Sequence, residues 1–191
     1  ANTPELATRK ALVQSQWLRD NKQAANAHAL VKQSLAQQPQ NTELMSELAM
    51  VSEKLKRYDE MEALLRELMK RKPDDPHAFN ALGYSLADRN IRLPEARELI
   101  VRALQLAPKD AYIQDSLGWV AFRQGNLAEA LQLLQTAYKA KPDAEIAAHL
   151  GEVLWVSGQH EEARRILLAG RAAGLAPKLH ADQLSSCEIG R

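Results

Sequence analysis

The sequence has one cysteine, few aromatic residues and no long apolar run. The single cysteine, Cys187, excludes an internal disulfide framework. No apolar stretch approaches the roughly 20 residues that a membrane-spanning helix needs. Val, Ile, Thr and the aromatic residues, which favour strands, are sparse. These absences argue against a disulfide-stabilised domain, a membrane-spanning protein and a sheet-rich fold.

Strong charge of either sign is also missing. The formal net charge is +1, and no polybasic arm is present, so composition gives no indication of a nucleic-acid partner. The plentiful residues are Ala, Leu, Glu, Gln, Lys and Arg, which favour helices. The composition therefore predicts an all-α protein. Because the chain begins at Ala1 without a methionine, we interpret it as a processed protein or an excised fragment.

Three series of residues recur at a single interval along the chain. The first is a leucine followed by a small residue: Leu48-Ala49, Leu82-Gly83, Leu117-Gly118 and Leu150-Gly151. The second is a residue 13 or 14 positions after each leucine: Met61, Ala96, Ala130 and Ala163. The third is a proline that closes each unit: Pro39, Pro73, Pro108 and Pro142. Three series in phase indicate an internal repeat.

Each repeat is predicted to be two helices joined by a short turn. Glycine within a helix costs about 0.5–1 kcal/mol relative to alanine, so its recurrence implies close packing. We expect the glycine of the first helix to face the alanine of the second. Asp75-Pro76 predicts the start of a first helix, and Pro94 the start of a second. Gly125-Asn126 and Gly158-Gln159 predict turns between paired helices.

This pattern resembles the tetratricopeptide-repeat (TPR) family, most closely in Phe79-x2-Leu82-Gly83-x2-Leu86 followed by Ala96 and Pro108. The resemblance implies an all-α, right-handed TPR superhelix, or α-solenoid, of about five antiparallel helix pairs. The array occupies residues 1–176, and the predicted units are 8–41 (degenerate), 42–75, 76–110, 111–143 and 144–176. Residues 177–191 are either a weak capping helix or a disordered tail.

Two departures from the repeat pattern carry expectations of their own. Gln14-Ser15 stands where Leu-Gly is expected, which predicts less regular pairing in the first unit. One extra residue near Asn90-Ile91-Arg92 should alter the turn of the third unit.

No arrangement of residues predicts catalysis, and neither a metal nor a cofactor is expected. His160-Glu161-Glu162 begins like a zinc-protease motif, but Arg164 occupies the position of the second histidine. The five histidines are isolated from one another, and Cys187 has no neighbouring base. We therefore do not expect an enzyme.

In a repeat solenoid the concave groove is the usual binding surface, and the TPR resemblance places the first helices along it. Helical spacing predicts these principal groove residues: Tyr84, Asp88, Tyr112, Asp115, Trp119, Phe122, Arg123, His149, Glu152 and Trp155. The same spacing adds Glu43, Glu47, Met50, His77, Asn80 and Glu145. Tyr84 and Trp119 are expected to be exposed, whereas Phe122 and Trp155 either face the groove or pack between repeats. The carboxylates would repel phosphate backbones, which again argues against nucleic acid.

Three strings carry a closer resemblance: Asn80–Arg89, Asp115–Val120 and Ala147–Trp155. They resemble the carboxy-terminal repeats of large proteobacterial TPR proteins, some of them outer-membrane lipoproteins that act as adaptors for a periplasmic carboxy-terminal processing protease. The resemblance implies a scaffold that binds a protein or peptide partner, including such a protease. It also implies a periplasmic or outer-membrane location, with a lipid anchor outside this chain. If the resemblance is set aside, the expected location is the cytoplasm. The alternative function is a self-assembling module that forms homo-oligomers through its terminal repeats.

Overall fold

The computed structural model describes residues 3–172, and in that range the chain forms ten α-helices and no strand. Their bounds are α1 Pro4–Asp20, α2 Ala24–Gln37, α3 Thr42–Lys54, α4 Tyr58–Arg71, α5 Pro76–Asp88, α6 Leu93–Leu106, α7 Ala111–Arg123, α8 Leu127–Ala140, α9 Ala144–Val156 and α10 His160–Ala172. The all-α fold of helix pairs is thus confirmed. The predicted tail at 177–191 and Cys187 lie outside the described residues.

Most first helices begin at an Asn or Asp whose side chain accepts backbone N–H bonds. Asn41, Asp110 and Asp143 do this at the starts of α3, α7 and α9. Asp75 accepts from the N–H of His77 at 2.9 Å, at the start of α5. Each cap satisfies an N–H group that the first turn of a helix leaves without a partner. The start predicted at Asp75-Pro76 is confirmed.

The turn between paired helices contains a residue with positive φ in every pair. These residues are Lys22, Lys56, Asn90, Gly125 and Gly158. The turns predicted at Gly125 and Gly158 are therefore confirmed. In the third pair Arg92 also has a positive φ of 47°, directly before α6, which carries Pro94 in its first turn. The extra residue predicted there thus changes the turn and leaves the following helix intact.

The described residues divide into two compact units, and the division falls between Leu82 and Gly83, within α5. In the amino-terminal unit α1 packs on α2, α3 packs on both, and α4 packs on α3. One apolar cluster of this unit is Ala11, Val31, Leu44 and Leu48, with Leu12, Leu35 and Leu64 against it. The first pair, α1 and α2, therefore shares a core with α3 despite the substitution of Gln14-Ser15 for Leu-Gly.

In the carboxy-terminal unit α7 and α9 each pack on their own second helix and on the pair before them. Helix α7 contacts α6, α8 and α9, and α9 contacts α7, α8 and α10. An apolar cluster formed by α7, α8, α9 and α10 consists of Ala121, Ala130, Leu134, Ala147, Leu150, Val153, Leu154, Ala163 and Ile166. This unit holds most of the predicted binding residues, and its first helices position them.

Three glycines of the repeat pattern lie in tight helix contacts. A Cβ atom added to Gly83 would lie 2.6 Å from Cγ1 of Ile100, and one on Gly118 would lie 2.7 Å from Cγ of Leu134. At Gly151 it would lie 2.5 Å from Cδ2 of Leu167. The predicted close approach is confirmed.

The expectation that each glycine faces the repeat alanine holds at Gly83 for the backbone, since the added Cβ would lie 2.9 Å from the carbonyl oxygen of Ala96. The nearest atom at each of the three glycines belongs instead to the branched side chain one turn after the alanine, as Ile100 follows Ala96 by four residues. Because glycine has no side chain, the branched residue can pack directly on the backbone of the first helix. The alanine itself is fully buried.

Candidate functional site

Three first helices of the carboxy-terminal unit bring their side chains together at His149. The indole of Trp119 on α7 stacks on the imidazole of His149 on α9, with ring centroids 4.3 Å apart and planes at 22°. The hydroxyl of Tyr84 on α5 lies 3.3 Å from Nε2 of the same imidazole. His149 therefore joins α5, α7 and α9 through one side chain.

The second nitrogen of His149 meets a carboxylate. Nδ1–H of His149 donates to Oδ2 of Asp115 at 2.8 Å, and these two residues are only 8% and 3% exposed. A buried carboxylate needs an opposite charge or several hydrogen bonds to offset its loss of hydration. The protonated imidazole provides the opposite charge and one hydrogen bond, from Nδ1–H, while its Nε2–H is directed at the hydroxyl of Tyr84.

The surroundings of His149 favour its charged form. Burial alone lowers the pKa of an imidazole, but the charge of Asp115 and its hydrogen bond oppose this effect. The carboxylates of Glu145 and Asp88 act in the same direction, and the pKa of His149 is raised above its ordinary 6.5. The pair therefore contributes stability below pH 6.5 and loses it as the pH rises through the raised pKa.

The prediction that Trp119 is exposed in a groove is wrong, because its side chain is fully buried. Asp115 and His149, predicted as partner contacts, are also buried. The physical reason is the neighbouring first helix, since His149 of α9 covers the position after Leu117-Gly118 and Phe122 packs on the indole at 5.3 Å. Asp115, Trp119 and His149 are therefore buried residues that pack beneath the accessible ones.

Glu47 departs from its prediction in the same way in the amino-terminal unit. It is 8% exposed, accepts a hydrogen bond from Oγ of Ser15 at 2.5 Å and lies 3.1 Å from Nε of Arg19. Its carboxylate therefore joins α1 to α3 and does not face solvent. Its neighbours Glu43 and Met50 are exposed, as is His77, while Asn80 is half-buried.

Of the two alternatives for Phe122 and Trp155, facing the groove or packing between repeats, the structure supports packing in part. Both are half-buried and lie against the apolar cluster formed by α7, α8, α9 and α10. The ring of Trp155 also contacts His160, with centroids 4.4 Å apart, and lies 5.6 Å from the guanidinium of Arg164. The accessible part of Trp155 is thus held in place by α10.

The accessible members of the predicted site form what we call the first-helix surface: Tyr84, Asp88, Tyr112, Arg123, Glu152 and Trp155. Tyr112 is 38% exposed, donates its hydroxyl to Oδ2 of Asp143 at 3.2 Å and has the Lys141 ammonium 4.3 Å from its ring centroid. Arg123 donates from Nη2 to the carbonyl of Asp88 at 3.4 Å. These contacts restrict side chains that would otherwise rotate freely.

Sequence reasoning missed the ionic contacts between consecutive second helices. Glu60 of α4 meets Nε2 of His28 and Nζ of Lys32 of α2, both at 2.7 Å. Burial opposes ionisation of Glu60, but the hydrogen bonds from Lys32 and His28 lower its pKa to about 2. Arg97 of α6 similarly pairs with Glu129 of α8. His28 and Glu60, like Arg97 and Glu129, are 32 residues apart, close to the repeat length, and this spacing is the signal that could have revealed them.

The described part of the chain offers neither a metal site nor a membrane span. Among residues 3–172, no three His, Cys, Asp or Glu side chains are grouped so that they could hold a metal ion. No helix in the same range has the length and apolar content required to cross a bilayer.

Comparison with protein families identifies the repeat. A model described as Tetratricopeptide repeat matches residues 18–83 and 121–181, and a second with the same description matches residues 62–111. The first of these two models alone covers more than half of the chain.

A curated relative is a TPR repeat-containing protein of Pseudomonas aeruginosa. It is 44% identical over 149 residues, which represent 78% of this chain and 25% of the relative. The chain thus spans about a quarter of the length of that protein.

Solved structures share the arrangement of helices. A thermophilic TPR protein from Thermus thermophilus matches with a TM-score of 0.79 at 21% identity, covering 87% of this chain and 91% of that one. The pilF protein of Pseudomonas aeruginosa matches with a TM-score of 0.73 at 16% identity, covering 91% and 79%. At these identities the likeness establishes the fold alone.

Proposed function

We propose, since this chain belongs to the tetratricopeptide-repeat family, that it is a scaffold that binds a partner polypeptide on the first-helix surface. TPR arrays commonly use the first helices of their pairs for binding. The carboxylates Asp88 and Glu152 on this surface disfavour a nucleic-acid backbone.

One observation carries the proposal: accessible aromatic side chains stand on a buried and fully packed support. The hydroxyl of Tyr84 contacts His149, and the ring of Trp155 is fixed between the core cluster and His160. Restricted side chains lose less conformational entropy on binding, so their contacts produce more affinity. Tyr and Trp are also the residues most enriched among those that dominate binding energy.

The test begins with the native partner, captured by crosslinking and mass spectrometry with the whole chain as bait. Affinity of the purified partner is then measured by calorimetry for Tyr84→Ala and Trp155→Ala. We expect each substitution to weaken binding by about 1 kcal/mol or more, which is at least fivefold. Leu168→Ala, at a residue 56% exposed on α10, is the matched control and should bind like the wild type. Unchanged affinity in both aromatic variants would contradict the proposal.

The finer proposal concerns the partner. The strings Asn80–Arg89, Asp115–Val120 and Ala147–Trp155 support an adaptor that presents substrates to a carboxy-terminal processing protease, at the periplasmic face of an outer membrane. Recovery of such a protease in the crosslinked complexes is the expected result. Consistent recovery of an unrelated protein would contradict the proposal of a protease partner and leave the scaffold proposal unaffected.

Self-assembly through terminal repeats is the competing function. It predicts that the sedimentation coefficient of the purified chain rises with protein concentration. A coefficient that stays at the monomer value would eliminate this alternative.

A further inference from the structure

Helix α1 carries an exposed apolar stripe along one side. Leu6, Val13 and Trp17 are 53%, 63% and 60% exposed. Their spacings of seven and four residues place them on one face of a helix. Single exposed apolar residues are common on protein surfaces, but three large ones in a row form a patch that calls for an explanation.

The repeat pattern identifies this face. Ser15 of α1 is fully buried and corresponds to Ala49, Gly118 and Gly151, the small residues of α3, α7 and α9. Val13 and Trp17 therefore stand two positions before and two positions after the small residue. The same two positions are buried in the other helices: Glu47 and Val51 in α3, Ser116 and Val120 in α7, His149 and Val153 in α9.

In α3, α7 and α9 the helix pair before each of them packs on this face and buries it. Helix α3 packs on α1 and α2, and α9 packs on α7 and α8. Leu44 of α3 shares a cluster with Val31 of α2, and Ile146 of α9 shares one with Ala137 of α8. The stripe on α1 is therefore the same face that packs between repeats in the other helices, but here no described helix pair packs on it.

We propose that this stripe is a docking face for one further TPR helix pair, joined to the amino-terminal side of α1 and packed as α2 packs on α3. The small area favours an occupant in the same polypeptide. A stable dimer buries roughly 1,200 Å² or more in total, and a single stripe of three side chains offers far less. Tethering raises the effective concentration and makes such a small contact sufficient. The TPR protein of Pseudomonas aeruginosa, of which the matched region is 25%, has ample length for further pairs.

The polar residues of the same face define the chemistry of the occupant. Lys10 and Gln14 are exposed at the positions that hold Leu44 and Leu48 in α3. The aliphatic stem of Lys10 can lie on an apolar surface while its ammonium group stays at the edge. The docking helix should therefore combine an aliphatic stripe with a carboxylate that reaches Lys10.

The experiment extends the full chain with a copy of its own second unit. Residues 42–75 are joined directly to Thr8, in place of residues 1–7, which preserves the 34-residue step between Ala49 of the copy and Ser15. This replacement removes Leu6, so the test concerns the part of the stripe formed by Val13 and Trp17. Helix α4 of that copy carries acidic residues, including Glu62 and Glu67. The readout is the rate at which a thiol reagent modifies Val13→Cys in a Cys187→Ser background.

Docking should slow modification at position 13 by about tenfold or more, because the thiol then reacts only when the pair opens. Trp17→Glu in the extended chain should restore the fast rate. Gln105→Cys on α6 is the control, and its rate should not change with the extension. Circular dichroism verifies that the added helices are folded, and an unchanged rate at position 13 in that case overturns the proposal.

A second copy of the chain is the rival occupant and has a distinct signature. It would protect Val13→Cys in the unextended protein as the concentration rises about a hundredfold, together with dimer formation in sedimentation. That result would also overturn the proposal. Neither readout involves the partner of the first-helix surface, so failure here leaves the scaffold proposal untouched.

Discussion

In one repeat of each unit the residue before the leucine of the Leu-small pair is buried and forms an ionic contact: Glu47 in the amino-terminal unit and His149 in the carboxy-terminal unit. In the amino-terminal unit Glu47 lies 3.1 Å from Nε of Arg19 and accepts from Ser15. In the carboxy-terminal unit His149 donates to Asp115 at 2.8 Å. Both contacts join one first helix to the preceding one.

This difference separates the two units by their response to pH. An arginine stays protonated at any accessible pH, so the contact of Glu47 keeps its cation. His149 loses its charge as the pH rises through its raised pKa, and its ion pair with Asp115 is then lost. One repeat position thus supplies a permanent contact in one unit and a titratable one in the other.

The largest expected effect distinguishes the units at the position after the small residue. Trp119 is fully buried there, whereas Met50 is 44% exposed. Trp119→Ala should lower the free energy of unfolding by about 3–5 kcal/mol because it leaves a large cavity. Met50→Ala should cost less than about 1 kcal/mol. Urea denaturation of both variants checks the contrast, and equal losses would show that the two positions are not different environments.

The next effect concerns the buried ion pairs. Asp115→Asn should cost about 3 kcal/mol near pH 6, because it leaves His149 buried without its anion. In the wild type the carboxy-terminal unit should lose stability from pH 6.5 upward, and in Asp115→Asn this slope should disappear.

Amide hydrogen exchange in α7 and α9, corrected for intrinsic rates, measures the pH slope of that unit. Glu47→Gln is the matched control, since its loss should be the same at pH 6 and pH 8. A titration of His149 by NMR that gave a pKa below 6.5 would contradict the assignment of the charged pair.

A smaller effect is expected at the small-residue position itself. Gly83→Ala should destabilise by about 1–3 kcal/mol, since the new Cβ would lie 2.6 Å from Ile100 and 2.9 Å from the carbonyl oxygen of Ala96. Ala49→Gly should cost only about 0.5–1 kcal/mol, through helix propensity. Thermal melting curves decide between them. A gain in stability for Gly83→Ala would mean that the contact relaxes easily.

The smallest effect lies at Glu60, whose pKa is lowered to about 2. Its contacts stabilise the amino-terminal unit above pH 4.5 and are lost as the pH falls towards 2. Glu60→Gln should therefore reduce stability by about 1 kcal/mol at neutral pH and by progressively less in acid. Melting temperatures between pH 5 and pH 2.5 test this against Glu98→Gln, an exposed control. A constant difference would rule out the ionic origin.

The fold was predictable because a repeat protein is held together by contacts within and between neighbouring units. Leu-Gly pairs, Asp75-Pro76 and the glycines of two turns each act over a few residues or one helix contact. Their spacing is therefore visible in the sequence. The branched residues Ile100 and Leu134 were missed as partners of the glycines, because alanine shares the same period and is the better-known small residue.

The site was less predictable, since helical spacing describes a helix in relation to its own partner alone. It placed Trp119 and His149 opposite the second helix, and that direction points towards a neighbouring first helix in this unit, α9 for Trp119 and α7 for His149. Whether such a side chain meets solvent or a neighbour depends on how closely consecutive first helices approach. Tyr84 and Tyr112 remain accessible at related positions, so no rule based on a single helix separates them from Trp119.

The altered turn at Asn90–Arg92 shows where this architecture tolerates added length. An extra residue is accommodated there by a second left-handed backbone position, and Gly83 still packs on Ile100 beyond it. Protein engineers could therefore insert an epitope or a fluorophore-binding peptide at Ile91 while preserving the helix register. A label at that point would make the protein detectable and leave the first-helix surface unmodified.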